Sequence, residues 1–164
     1  MPIEESTIDV KPKSILLIPG APATMTAQQK GISFRQKTVF TKAVVEAEAK
    51  RLRRDLLIYQ DGNFVPPRYP VKPYDGPLYV QIRMIYPMTI TQAAKYADRL
   101  SDPGFTLRHT VRPDVDNSAK LLLDTLTKLG FWHDDAQVDE LHLCKRYGSE
   151  PRITIWILSL NEDA

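Results

Sequence analysis

The residues best suited to chemistry fall within 112–145, in the stretch RPDVDNSAKLLLDTLTKLGFWHDDAQVDELHLCK. Asp114 and Asp116 stand one residue apart just before a leucine-rich segment, Lys120 follows, and Asp134-Asp135 closes the far side. Side chains two apart in extended chain point the same way, and Pro113 biases Arg112 toward extended backbone. Both carboxylates are therefore expected to face one point at a helix start, with Lys120 one turn into the helix on the side of Asp116. A helix over 117–128 rises roughly 18 Å at ~1.5 Å per residue. The chain over 129–135 reaches up to about 23 Å when extended. Asp135 can thus return toward Asp114 and Asp116, provided that the connection runs back along the helix. Three converging carboxylates are the hard oxygen ligands that Mg²⁺ takes. An ion held there lowers the pKa of a bound water and stabilises charge building on a phosphate. Lys120 beside it would add positive charge or position the water.

Each residue also has a plainer reading. Asp116 is a good N-cap. Asp116, Lys120 and Asp124, at successive i,i+4 positions, make a surface charge ladder. Asp134-Asp135 makes a turn. His109 and His133 flank the acids and either move protons or serve the structure. The single cysteine, Cys144, alternates out of phase with Lys145 and is expected to be a buried, inert thiol.

The elements that must position these groups follow from hydrophobic period and turn signals. Residues 14–18 are a short apolar strand stopped by Pro19-Gly20, and 19–34 a long loop of the kind that carries binding residues. Helical spacing of Val45, Ala49, Leu52 and Leu56 predicts a helix over 37–57. Its second half is basic, with Lys50, Arg51, Arg53 and Arg54 on either a solvated face or a phosphate-contacting one. Five prolines and two glycines in 60–77 predict an irregular loop or a long hairpin excursion. Strict alternation over 78–86 is a strand. Thr89 or Thr91 caps a short helix reaching about residue 100, and 105–111 is extended or irregular. The clearest helix carries Ala119, Leu122, Leu123 and Leu126 on one face, with Asp116 as N-cap and Gly130 as its stop. Residues 138–147 and 152–160 are two strands. The last is apolar on both faces, which suggests a central place. This order predicts a single α+β domain over 14–160, a mixed sheet with helices mainly on one face, after a mobile tail at 1–13.

Composition bounds the function classes. A chain of 164 residues with 43% hydrophobic and 26% charged residues is neither mostly disordered nor a coiled-coil rod. One cysteine excludes an intrachain disulfide and suggests a reducing, cytoplasmic setting. No apolar run approaches the ~20 residues of a membrane span, and the N-terminus lacks a secretory pattern. Residues 1–60 carry ten Lys/Arg against six Asp/Glu, whereas 111–164 carry six against ten. A basic front before an acidic back suits a metal-dependent enzyme acting on a polyanion, or is ordinary surface variation.

Singly these features are weak, but their order is specific: Asp-x-Asp-Asn-x-x-Lys, a helix, Asp-Asp-x-Gln-Val, a strand, then Lys. That order resembles the RusA family of Holliday junction resolvases. The matching residues are Arg112, Pro113, Asp114, Asp116, Asn117, Lys120 and Asp124. They continue through Gly130-Phe131-Trp132, Asp134, Asp135, Gln137, Val138 and Lys145, and the early Ile18-Pro19-Gly20 with Pro22 is similar to the family's opening. The resemblance implies a homodimeric Mg²⁺-dependent endonuclease, with Mn²⁺ as a substitute, that nicks four-way DNA junctions in recombination and repair and is bacterial or phage-encoded. It implies Asp114, Asp116 and Asp135 as metal-binding acids, Asp134 as the less certain member of its pair, and Lys120 as the catalytic lysine. Lys30, Arg35, Lys37 and Lys145 are the expected DNA contacts. Two other classes stand beside it: a junction-binding module whose acids are structural, and a metal-dependent hydrolase of a small phosphate ester.

Overall fold

A computed structural model describes residues 14–23 and 34–160, with 34–42 represented by their helical backbone. The expected tail at 1–13 lies outside the described residues. One mixed sheet holds seven strands in the order β3-β2-β1-β7-β4-β6-β5. They are β1 (Ser14–Pro19), β2 (Leu57–Gln60), β3 (Asn63–Val65), β4 (Leu78–Pro87), β5 (Thr106–Arg108), β6 (Val138–Gly148) and β7 (Arg152–Ser159). Among these pairings β4 and β6 run parallel, and the other neighbours are antiparallel. Three α-helices join them: α1 (Phe34–Asp55), α2 (Ile90–Lys95) and α3 (Val115–Leu129). This is the α+β architecture that the element order predicts.

Alternation decides which face of the sheet is covered. Leu16 and Ile18 of β1, Ile153, Ile155 and Ile157 of β7, and Leu78, Val80, Ile82, Met84 and Tyr86 of β4 are buried in one cluster. Ala49 and Leu52 of α1 and Leu122, Leu126 and Leu129 of α3 pack onto that face. Each such Leu, Ile, Val or Met side chain contributes about 1.5–3 kcal/mol when fully buried. The sheet's opposite face carries Ile15, Leu17, Trp156 and Leu158, all half-buried and outside the cluster. β7 sits between β1 and β4, the central place its two apolar faces suggest.

Two helix boundaries and the form of the proline-rich stretch differ from expectation. α1 ends at Asp55, and residues 57–65 form the hairpin β2–β3 around Asp61-Gly62. Both turn residues have positive φ, 49° and 88°, which suits a two-residue hairpin turn with Asp-Gly. α3 starts at Val115, so Asp114 rather than Asp116 occupies the N-cap position. Its C-cap is Gly130, at φ 85°, a left-handed conformation that glycine adopts without steric cost. The proline-rich stretch beyond β3 is a packed strap. Tyr69, Val71 and Tyr74 lie against the core, Arg53 covers the Tyr69 ring at 4.9 Å, and the Tyr74 amide donates to the Phe131 carbonyl at 2.8 Å. No helix among the described residues is long and apolar enough to cross a membrane.

Candidate functional site

The approach to α3 is built at the C-terminal ends of the parallel strands β4 and β6. His109, just beyond β5, is buried between Tyr86 of β4, at 4.5 Å between ring centroids, and Tyr147 of β6, stacked at 4.2 Å. Burial, and then the nearby charge of Lys145, hold its imidazole below the usual histidine range, so at neutral pH it is uncharged. Lys145 lies opposite Met84 in the β4–β6 register and shares its inward face. Its ammonium donates to the Val111 carbonyl and, at 2.6 Å, to the Pro113 carbonyl.

Asp114 and Asp116 emerge from that loop at the N-terminal end of α3, and both are exposed. Asp114 has extended backbone angles (φ −67°, ψ 144°), while Asp116 is already inside the first helical turn, so no continuous extended run carries the pair. The Asp114 carbonyl accepts from the Ser118 amide at 3.1 Å, but its carboxylate makes no capping bond. Neither carboxylate has an ion pair or side-chain hydrogen bond among the described residues. The cap reading thus fails for Asp116 by position and for the Asp114 carboxylate by geometry. The helix dipole favours negative charge at this end.

One face of α3 continues through Lys120 to Asp124. No ion pair within this ladder forms among the described residues. Burial raises the Asp124 carboxyl above the usual range; Lys120 opposes that shift, and Asp135 reinforces it. Asp135 has therefore come back to α3, close enough for its charge to act on Asp124. The short 3₁₀ turn Asp135–Gln137 packs on the same helix.

Gln137 holds this turn through both ends of its amide. Its Oε1 accepts from the His133 amide at 2.7 Å and the Asp134 amide at 3.2 Å. Its Nε2 donates to the Tyr74 and Gly76 carbonyls, each at 3.0 Å. Asp134 caps the turn by accepting from the Ala136 amide at 2.8 Å. Asp135 is exposed and makes no side-chain hydrogen bond or ion pair among the described residues. The two neighbouring acids thus divide: one closes the turn, and the other is left to solvent. The bracing by Gln137 was absent from the expected site. Its signal was Asp134 with Gln three residues on, the spacing of a capping box.

Among the described residues, no three His, Cys, Asp or Glu side chains gather closely enough to enclose an ion. Asp114 and Asp116 stand at the N-terminal end of α3, and the charge of Asp135 reaches Asp124 on the same helix. The donor chemistry nevertheless suits a hard cation, since all three are exposed carboxylates without a structural partner among the described residues. His133 faces Asp75 at 3.1 Å. Cys144 is half-buried rather than buried.

The expected DNA contacts fare unevenly. Lys30 lies outside the described residues; Arg35 and Lys37 fall in α1, their side chains outside the description. Along α1, Arg51 bonds Glu48 at 2.7 Å and the Ala21 carbonyl at 2.9 Å, and Arg54 bonds Asp55. Burial raises the Glu48 carboxyl despite Arg51 beside it. Glu46, Lys50, Arg53 and Lys128 line a groove of about 270 Å³ between α1 and α3.

Comparison with known proteins bears on this arrangement. The family model described as "Endodeoxyribonuclease RusA" matches residues 22–158. The chain is also 34% identical over 84 residues to the "Uncharacterized protein YqaN" of Bacillus subtilis (strain 168), a match covering 50% of this chain and 57% of that protein. The matched stretch therefore spans little more than half the length of that relative.

Proposed function

This chain belongs to the RusA family of endodeoxyribonucleases, and from that premise we propose that it nicks four-way DNA junctions in a Mg²⁺-dependent reaction, with Mn²⁺ as a substitute. The observation that carries the reading is the pair of exposed carboxylates, Asp114 and Asp116, at the start of α3 without a structural partner among the described residues. Together with Asp135 they are the residues that would hold the ion. When bound, the ion supplies an activated water and charge stabilisation at the scissile phosphate. Lys120, exposed one turn beyond Asp116, adds positive charge on the same helix face. Lys30, Arg35 and Lys37 hold backbone phosphates, with Lys50 extending that surface along α1.

A four-way junction cut on opposing strands has approximate two-fold symmetry, which a C2 homodimer matches with two identical sites. The sheet face bearing Ile15, Leu17, Trp156 and Leu158 supports such pairing, because these apolar side chains, beside Gln81, Arg83 and Thr154, are only half-buried in one chain. The reaction is assigned to recombination and repair in a bacterial or phage-infected cytoplasm.

The second reading is a junction-binding module whose acids are structural. It draws on the fact that the described chain does not gather three acids around one point. The absence of any structural partner for Asp114, Asp116 or Asp135 among the described residues argues against it. A gel assay on a synthetic four-way junction, with linear duplex as control, decides between them. Nicking is expected in Mg²⁺ and Mn²⁺ and not in chelator. Asp116→Asn should abolish it, with junction binding in chelator kept within about twofold. Full cleavage by Asp116→Asn would reject the assignment, and salt-sensitive binding without nicking in either metal would favour the module.

A further inference from the structure

We propose that Lys145 is a positioning residue for the acidic pair, holding the loop that presents Asp114 and Asp116 rather than contacting DNA phosphate. The proposal rests on the reading of those two acids as metal ligands. Between Arg108, where β5 ends, and Val115, where α3 begins, the backbone has little of its own to fix it. Among the described residues, the one backbone–backbone hydrogen bond recorded there outside the strand and helix ladders is from the Ser118 amide to the Asp114 carbonyl. His109 anchors one end of the segment between two tyrosines. The other end is held by the Lys145 ammonium, which takes the carbonyls of Val111 and Pro113 together. The second carbonyl belongs to the residue immediately before Asp114.

The surroundings of Lys145 fit this better than a phosphate contact. It is half-buried on the inward face of β6 and has no carboxylate within ion-pair distance among the described residues. A half-buried ammonium without a counter-ion needs acceptors, and the loop carbonyls supply them. Reaching a phosphate would mean abandoning both and leaving two loop carbonyls without that donor. The strand is regular at this point, paired with β4 through Met84, so the ammonium is carried by the rigid sheet. Rigid support of a ligand-bearing loop is what limits loss of metal affinity.

Two titrations test this on the full chain. Mn²⁺ binding to DNA-free protein is followed by electron paramagnetic resonance, and junction binding in chelator by fluorescence anisotropy over a salt series. Lys145→Met is expected to weaken Mn²⁺ binding about tenfold or more and to leave junction affinity and its salt slope as in the wild type. Lys145→Gln, neutral but still a donor, should fall between the two for Mn²⁺. It becomes the working variant if Lys145→Met lacks the wild-type circular dichroism spectrum. A salt slope shallower by about one with unchanged Mn²⁺ affinity would make Lys145 a phosphate contact and overturn the proposal. No change in either titration would overturn it as well. Asp116→Asn serves as the control for the underlying reading. If that variant binds Mn²⁺ as the wild type does, the metal assignment itself has failed, and Lys145 has no ligand loop to position.

Discussion

At the scale of the residue, the fate of a carboxylate or an imidazole depends on what surrounds it more than on the motif that contains it. Asp134 and Asp135 are chemically identical neighbours, yet one accepts the Ala136 amide and the other faces solvent. His109, weighed as a proton carrier, is instead a buried, neutral ring clasped by Tyr86 and Tyr147. Its titration has a defined sign. Burial and Lys145 depress its folded pKa below the ordinary value of 6.5, so between those two values the unfolded chain binds more protons. The stability tied to neutral His109 is fully present above the ordinary value and is lost as pH falls through it toward the folded value. The wild-type melting temperature is therefore expected to decline between about pH 7.5 and pH 5. His109→Phe, which keeps an aromatic ring in the stack, should decline less over the same range. Equal declines in the two proteins would show that His109 contributes nothing to acid sensitivity.

At the scale of the element, long periodic segments were readable from the chain and short ones were not. α3, β4 and β7 carry enough repeats of period 3.6 or 2 for their burial faces to be read directly, and Leu126, Ile82 and Ile155 are buried as expected, whereas Leu141 of β6, expected on the inward face, is exposed. β3 and β5 have three residues each and β2 has four, too few to establish a period. Asp61-Gly62 was the available sign of the β2–β3 hairpin. The order of acids and lysines around α3 was equally readable. Their supports were not, because Lys145 and Gln137 act on the carbonyls of Val111, Pro113, Tyr74 and Gly76, which only the folded chain brings within reach. Gln137 ties the Asp135 turn to the proline-rich strap, so that strap is part of the site's frame. Gln137→Ala is expected to cost about 1–3 kcal/mol of stability through these lost bonds. It should lower the junction nicking rate on the order of tenfold or more by loosening the Asp135 turn. Calorimetry and the gel assay read the two effects separately. Nicking at the wild-type rate in a destabilised variant would show that the turn's geometry is irrelevant to the reaction.

At the scale of the whole molecule, the mixed sheet sorts structure and chemistry onto different places. Helices α1 and α3 seal one face into a continuous apolar core, while the junction of the β5–α3 loop with the first turn of α3 holds two acids out to solvent. The third acid comes near Asp124 of α3, and among the described residues no three acids gather around one point. Binding of one ion by all three is what the metal assignment requires. The direct measurement is an anomalous difference map from crystals of the full chain with a four-way junction and Mn²⁺, using Asp116→Asn as the control. A Mn²⁺ peak bonded by Asp114 and Asp116, with an Asp135 carboxylate from either copy completing the set, is the predicted result, and the peak should vanish in the control. Mn²⁺ bound elsewhere, with Asp114 and Asp116 left in solvent beside the intact junction, would contradict the account.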